Sequence, residues 1–138
     1  MKVFISHSHE TKTLAKEIGG TLQRAGFEVW DHAQEIFPGD NWAKLTSDAL
    51  EEAQAMVVLL SPHGVDYYPI RYEINFTLVG RQFERRLIPV FVGIGIDDES
   101  VVNRLPWILH RLTPISLQAD GKDQQGIEKI AQALQAAA

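Results

Sequence analysis

Apolar residues recur along the chain in two alternating patterns, one with the period of a strand and one with the period of a helix. Short apolar runs predict five strands: KVFIS at 2–6, FEVW at 27–30, AMVVLL at 55–60, RLIPVFVG at 86–93 and TPISL at 113–117. Between them, apolar residues spaced three and four apart predict helices at 11–26, 41–54, 69–80 and 123–135, with one helical turn at 105–109. Strands and helices therefore alternate along the whole chain.

This alternation predicts an α/β fold, because strands separated by helices join as a parallel sheet with helices on both faces. The runs at 2–6, 55–60 and 86–93 are almost continuously apolar, as strands buried on both faces are. We therefore predict a flavodoxin-like three-layer fold with a five-stranded parallel sheet of order 2-1-3-4-5. No break in composition divides residues 1–138, so a single domain is expected.

Each predicted helix has an apolar face that should pack on the sheet. The predicted inward residues are Leu14, Ile18 and Leu22 in the first helix, Trp42, Leu45, Ala49 and Ala53 in the second, and Ile127, Ile130, Ala131 and Leu134 in the last. Gly26 is a suitable stop for the first helix. Asp40 or Asn41 is a suitable N-cap for the second helix.

Composition narrows the class of protein. Hydrophobic residues make up 45% and charged residues 22% of the chain, and the net charge is −5. This charge argues against nucleic acid or an anionic membrane as the main partner. The absence of cysteine excludes a disulfide framework and thiolate metal sites. No apolar run is long enough to span a membrane and the first residues lack a signal-peptide core, so a cytoplasmic location is expected.

In such a sheet, ligands bind beyond the carboxyl ends of the strands. Those ends carry no acidic phosphoacceptor cluster, no G-x-G-x-x-G turn, no P-loop and no G-x-S-x-G motif. Four histidines lie there, namely His7, His9, His32 and His63, and histidines can bind zinc or nickel. Because no carboxylate or cysteine stands beside them at ligand spacing, solvated or backbone-capping histidines are the favoured interpretation, and we expect no metal.

One carboxylate, Glu73, lies in the early turns of the predicted third helix, after a break that contains Pro and Gly. An acidic residue there can simply complement the helix dipole, or it can pair with Arg71 or Arg81. It can also be a residue that the fold presents at the ligand-binding edge. Spacing alone favours the structural interpretations.

Several sequence blocks, in their order and spacing, carry a family resemblance. VFISHS, GFEVWDHAQEIFPGDNW, AMVVLLSP, IRYEI, RLIPVFVG and LPWIL resemble a Toll/interleukin-1 receptor (TIR) domain of the bacterial type, from the first strand to about Leu117. The family fold is the flavodoxin-like sheet predicted above. The resemblance implies one of two classes. Some members are scaffolds that assemble through TIR–TIR contacts, and others cleave the nicotinamide–ribose bond of NAD+ to give nicotinamide and ADP-ribose or a cyclic isomer.

The resemblance also implies roles for particular residues. Glu73 matches the catalytic Glu in the helix after the third strand. The loop from Asp31 to Asp40 matches the assembly and gating loop, and its central residues are Ile36, Phe37, Pro38 and Gly39. His7 and Ser8 lie where the first loop of the family contacts substrate, although a Ser after a strand is also a common helix cap.

Trp30, Asp31 and Tyr68 complete the predicted substrate site. Trp30 could stack on a ring of the substrate, but an aromatic residue that ends a strand is more often part of the core, which is the favoured interpretation. Asp31 could bind ribose or cap the turn. Two positions depart from the family pattern. Pro69 replaces a frequent Trp, for which Tyr68 or a neighbouring Tyr could substitute, and His32 takes the usual place of an acidic residue.

The sequence thus predicts an NAD+ glycohydrolase or cyclase in prokaryotic immune (antiphage) or stress signalling, activated by self-assembly. NAD+ is then a substrate, no cofactor is expected, and the expected partners are NAD+ and other TIR domains, with no nucleic acid and no membrane. A non-catalytic TIR scaffold is the alternative. Pro69 favours the scaffold, and Glu73 favours the enzyme. A nucleotide-binding sensor without turnover is more remote. In the loop, Ile36 and Phe37 either cover the core or dock on a neighbouring copy.

Overall fold

The computed structural model describes residues 1–31, 35–62, 70, 73–74, 87–93, 103–104, 112–118 and 123–137. Within them, the strands are β1 Lys2–Ser6, β2 Glu28–Asp31, β3 Ala55–Leu60, β4 Leu87–Val92 and β5 Ile115–Leu117. They form one sheet of order β2-β1-β3-β4-β5, in which all neighbouring pairs are parallel. The predicted α/β fold and its 2-1-3-4-5 order are confirmed.

The helices among the described residues are α1 Lys12–Arg24, α2 Trp42–Glu52 and α3 Gln124–Ala137, and a short 3₁₀ turn at His9–Thr11 precedes α1. The predicted inward residues of α1 and α3 are buried. For α2 the prediction holds only in part. The buried residues are Thr46 and Leu50. All four predicted inward residues are half-buried, and of these Ala49 and Ala53 pack against the core while Trp42 and Leu45 are not among its residues. The helix packs against β1 next to the edge strand β2, so the sheet covers only a narrow stripe of it.

The end of α1 explains why β2 begins one residue later than predicted. Gly26 has a φ of +96°, and its amide donates to the carbonyl of Gln23 while the amide of Phe27 donates to the carbonyl of Leu22, each at 3.0 Å. This pair of bonds is the Schellman arrangement that a glycine permits after a helix. Because the helix end uses the amide of Phe27, strand pairing begins at Glu28.

The start of α2 is organised by two side chains. Asn41 is the N-cap, since its Oδ1 accepts a hydrogen bond from the amide of Lys44 at 3.1 Å. Asp40 instead closes the preceding turn, because its Oδ2 accepts from the amide of Phe37 at 2.9 Å. Gly39 lies within this turn, between Phe37 and Asp40, and has a φ of +92°, a conformation that favours glycine. Asn41, and not Asp40, is therefore the cap.

The sheet separates two apolar cores, because successive residues of a strand point to opposite faces. Ile5 packs with the inward faces of α1 and α3. Phe4 packs on the opposite face with Leu50, Ile70 and Ile74. Residues 70, 73 and 74 are helical, as predicted. The rest of the predicted helix at 69–80 and the predicted turn at 105–109 lie outside the described residues.

Candidate active site at the carboxyl edge of the sheet

A buried carboxyl group meets the end of the central strand β1. Ser6, the last residue of β1, lies on the same face as Phe4 and donates a hydrogen bond from Oγ to Oε1 of Glu73 at 3.0 Å. The exposed fractions of Ser6 and Glu73 are 0% and 1%. Ile70 and Ile74 flank Glu73 in sequence and pack in the same core as Phe4. Apolar packing of this helical segment therefore carries Glu73 to the strand end.

Burial changes the acid–base behaviour of Glu73. It raises the pKa of this carboxyl from 4.5 to about 8, chiefly because the charged form loses its hydration. The hydrogen bond from Ser6 acts in the opposite direction, and the negative charge of Asp31 raises the pKa further. On its own the carboxyl is therefore mostly protonated at neutral pH. A cation beside it would favour the ionised form.

The direction of this pKa shift can be compared with the interpretations of Glu73. A Glu whose main role is to complement a helix dipole or to pair with an arginine has its charged form stabilised, which lowers its pKa. Glu73 has the opposite shift. Arg71 and Arg81 lie outside the described residues. A carboxyl that is buried at the ligand-binding edge with a raised pKa is typical of functional sites.

His7 and Asp31 form a second buried pair at the same edge. The ring of His7 places Nδ1 2.8 Å from the carbonyl oxygen of Ser8 and Nε2 2.6 Å from Oδ1 of Asp31. A carbonyl oxygen only accepts, so Nδ1 must donate. The two contacts together fix the orientation of the ring.

The register of the sheet brings this pair together. Asp31 is the last residue of β2 and pairs with Ile5 of β1, so the residues that follow β1 lie beside the end of β2. His7 and Asp31 are 1% and 4% exposed. The structure thus brings together the predicted residues Glu73, His7 and Asp31, and the charge of Asp31 acts on Glu73.

Ser8 stands at the N-cap position of the 3₁₀ turn, but its side chain does not cap the turn. Its side chain makes no capping hydrogen bond, so the predicted alternative of a capping side chain is wrong. Its carbonyl instead accepts from Nδ1 of His7 and from Oγ1 of Thr11, the latter at 3.4 Å. Its exposed fraction is 5%, and its Oγ has no hydrogen-bond partner among the described residues. Ser8 therefore keeps a hydroxyl available at this edge.

Trp30 is half-buried and packs against the core, whereas its suggested role in stacking on substrate stays a prediction. Its ring stacks on that of Phe4, with centroids 4.8 Å apart and an interplanar angle of 18°, as the register between the two residues requires. It also lines a small cavity with Lys2 and Glu52, which lie at the amino end of β1 and the carboxyl end of α2. That cavity is at the opposite edge of the sheet from Ser6. The favoured core interpretation of Trp30 agrees with this packing.

The predicted assembly loop exposes its aromatic residue. Phe37 is 65% exposed, and it is the exposed large hydrophobic residue of the described part of the chain. Ile36 is half-buried, and Pro38 and Gly39 are exposed. Phe37 therefore does not cover the core. Its carbonyl and amide both hydrogen-bond to Asp40, so the turn that carries the ring is closed.

The remaining predictions concern residues outside the described ranges, metal sites and membrane spans. Tyr68, Pro69, His32 and His63 are outside the described residues. Among the residues that the structure does describe, no group of three or more His, Cys, Asp and Glu could hold a metal ion. No helix in the described ranges is both long enough and apolar enough to cross a membrane.

Ser6 was not assigned a role from the sequence, although it makes the direct contact with Glu73. A signal for it existed. The alternation of β1 places Ser6 on the same face as Phe4, and a polar side chain at the carboxyl end of a central strand on a core-facing side needs a partner. The partner itself depends on how the helical segment packs, which the pattern does not specify.

The comparisons with known proteins identify the family. The TIR domain family matches residues 3–134, so the chain belongs to the TIR family. It is 31% identical over 110 residues to the 2' cyclic ADP-D-ribose synthase BtTIR of Bacteroides thetaiotaomicron, an alignment that covers 79% of this chain and 38% of that protein. The chain thus spans well under half the length of this curated relative.

Solved structures confirm the same fold at lower identity. A metazoan TIR-STING receptor from C. gigas, in complex with 2',3'-cGAMP, matches with a TM-score of 0.76 and 23% identity, covering 96% of this chain and 38% of that one. The TIR domains of the activated Roq1 resistosome match with a TM-score of 0.66 and 18% identity, covering 98% of this chain and 97% of that one. These likenesses concern the fold alone.

Proposed function

We propose that this TIR domain cleaves the nicotinamide–ribose bond of NAD+, with Glu73 as the catalytic carboxylate. The observation that carries the proposal is the buried Ser6–Glu73 pair at the carboxyl edge of β1, where open parallel sheets bind their ligands. The similarity to a 2' cyclic ADP-D-ribose synthase over 79% of this chain supports the same class of substrate.

The chemistry needs little more than one well-placed carboxylate. The nicotinamide ring of NAD+ is a cation while it is bonded to ribose, so it leaves as a neutral molecule without a general acid. The positive charge passes to the ribose, which becomes an oxocarbenium-like centre as in glycoside hydrolysis. A preorganised carboxylate in a site that excludes water stabilises that charge more strongly than water would. Water then completes hydrolysis, or another group of the same substrate completes cyclisation, and the nucleophile loses a proton.

The raised pKa of Glu73 fits this role if the substrate itself promotes ionisation. Burial raises the pKa of the carboxyl to about 8. The cationic ring of NAD+ would favour loss of the proton as it arrives. Ser6 would then hold the carboxylate in place through its hydrogen bond, while the His7–Asp31 pair fixes the adjacent wall of the site.

Phe37 supports a second part of the proposal, which is activation by assembly. An exposed apolar ring on a closed turn is suited to docking on a neighbouring copy, and a contact between unlike surfaces repeats to form open strands. We infer that such assembly places the loop against the site and raises turnover. A role in prokaryotic immune or stress signalling is part of this proposal and follows from the family resemblance.

A non-catalytic scaffold is the second candidate, because the exposure of Phe37 would serve assembly equally well without turnover. One experiment separates the two. Concentrated protein is incubated with NAD+ and free nicotinamide is followed by chromatography, while assembly is followed by light scattering. The proposal predicts nicotinamide release that rises faster than linearly with protein concentration. Assembly without any nicotinamide release would favour the scaffold.

A further inference from the structure

Thr46 of α2 carries a buried hydroxyl. Its exposed fraction is 1%, and its Oγ1 has no hydrogen-bond partner among the residues that the structure describes. A threonine within a helix often bonds the carbonyl one turn earlier, but Thr46 makes no such bond within the described chain. Burying a hydroxyl without a partner is unfavourable, and valine has the same shape without that penalty.

The direction of α2 places Thr46 near the candidate active site. The end of α2 lies at the amino edge of the sheet, because Nζ of Lys2 is 3.4 Å from Oε2 of Glu52 and the amide of Gln54 donates to the carbonyl of Lys2 at 2.8 Å. The helix therefore begins at the carboxyl edge. Thr46 precedes the buried Leu50 by one turn, so it lies about 5–6 Å closer to that edge.

Thr46 also faces the correct side of the sheet. Leu50 packs in the core that contains Phe4, and Ser6 follows Phe4 on the same face, about 7 Å further toward the carboxyl edge. Thr46 and Ser6 are thus displaced in the same direction from the Leu50–Phe4 contact. Since Ser6 holds Glu73, the buried face of α2 presents a hydroxyl toward the region of the Ser6–Glu73 pair.

We propose that Thr46 is a substrate-binding residue whose hydroxyl bonds a ribose hydroxyl of the dinucleotide beside Glu73. A hydroxyl both donates and accepts a hydrogen bond, and the ribose of NAD+ carries hydroxyls next to the carbon at which the bond breaks. The buried hydroxyl of Ser8, which also has no partner among the described residues, lies beyond the same strand end. The inference rests on the proposed function and names a further residue of that site.

The experiment compares Thr46→Val, which removes the hydroxyl at nearly constant shape, with Thr46→Ser, which retains it. Thr13→Val, at an exposed position of α1, is the matched control. Thermal melting, KM and kcat for NAD+ cleavage, and calorimetric binding of NAD+ to a Glu73→Gln background are measured for each. We expect Thr46→Val to melt at or above the parent temperature and to weaken NAD+ binding about fivefold, the effect of one neutral hydrogen bond. Thr46→Ser should stay within about twofold of the parent.

The other outcomes are decisive in different ways. A Thr46→Val protein that binds and cleaves NAD+ as the parent does overturns the assignment of Thr46 and leaves the proposed function standing. A Thr46→Val protein that melts clearly below the parent shows a structural bond of the hydroxyl and also overturns it. If the parent neither cleaves nor binds NAD+, the proposed function and the assignment of Thr46 both fail.

Discussion

Replacement of Glu73 by Gln tests the burial of this carboxyl through the pH dependence of stability. Gln is nearly isosteric with Glu, and its amide oxygen can accept the hydrogen bond that Ser6 donates to Glu73. The substitution therefore removes ionisation while it keeps the packing. The parent and the variant should differ mainly in how their free energies of unfolding respond to pH.

The size of the effect follows from the pKa. In the folded chain the pKa of Glu73 is raised from 4.5 to about 8, so between those values the folded state holds a proton that the unfolded state has lost. Unfolding then releases a proton, and the free energy of unfolding falls by about 1.4 kcal/mol for each pH unit. The stability that protonated Glu73 contributes is greatest below pH 4.5. It is lost as pH rises and stops changing above about pH 8. The full difference is on the order of 5 kcal/mol.

The assay is urea denaturation of both proteins from about pH 5 to about pH 9, which is suited to a chain of this size. We expect the Gln variant to gain stability relative to the parent as pH rises, by several kcal/mol in total. Glu17→Gln, at an exposed position of α1, controls for the change in net charge. If the difference in free energy of unfolding between Glu73→Gln and the parent stays constant across this pH range, the claim that the carboxyl is buried and protonated is refuted.

Two further predictions concern turnover and assembly. The value of kcat/KM for NAD+ cleavage should rise about tenfold per pH unit and level near pH 8, because it reports the ionisation of the free enzyme; a profile that is flat with pH would argue against a required Glu73 carboxylate. Phe37→Asp should leave the thermal melting point nearly unchanged, since the ring is 65% exposed, and should give a monomer with low activity at every concentration. Wild-type activity per molecule, or a marked loss of stability, would contradict the docking role of Phe37.

The fold could be predicted from the sequence because each level of the pattern agreed with the next. The continuous apolar run of β3 specified a buried strand, and the face of α1 specified its packing. The face of α2 could not be predicted in the same way. Its residues at 42, 45, 49 and 53 have the better apolar spacing, but the position of α2 beside an edge strand buries Thr46 and Leu50 fully and leaves Ala49 and Ala53 half-buried at the border of the core. Helical periodicity says which residues share a face, not which face the sheet covers.

The candidate site was predictable in part. The family resemblance indicated Glu73, and the strand order places the end of β1 beside the end of β2, which brings His7 to Asp31. The burial of Glu73 and its contact with Ser6 could not be read from spacing, because they depend on how the helical segment packs on the sheet. The packing of Trp30 on Phe4 could not be read from the sequence either, because an aromatic residue can end a strand both in a ligand site and in a core.

The release of free nicotinamide from NAD+ by the parent and by Glu73→Gln, compared under identical conditions, tests the central claim most directly. Both proteins are assayed at about pH 8, near the pKa of Glu73, and at a concentration high enough for assembly, with Glu17→Gln as the control. The account predicts release by the parent and by the control, and a loss of at least about a hundredfold in Glu73→Gln with its melting transition retained. Release by Glu73→Gln at the rate of the parent would contradict the assignment of Glu73 as the catalytic carboxylate.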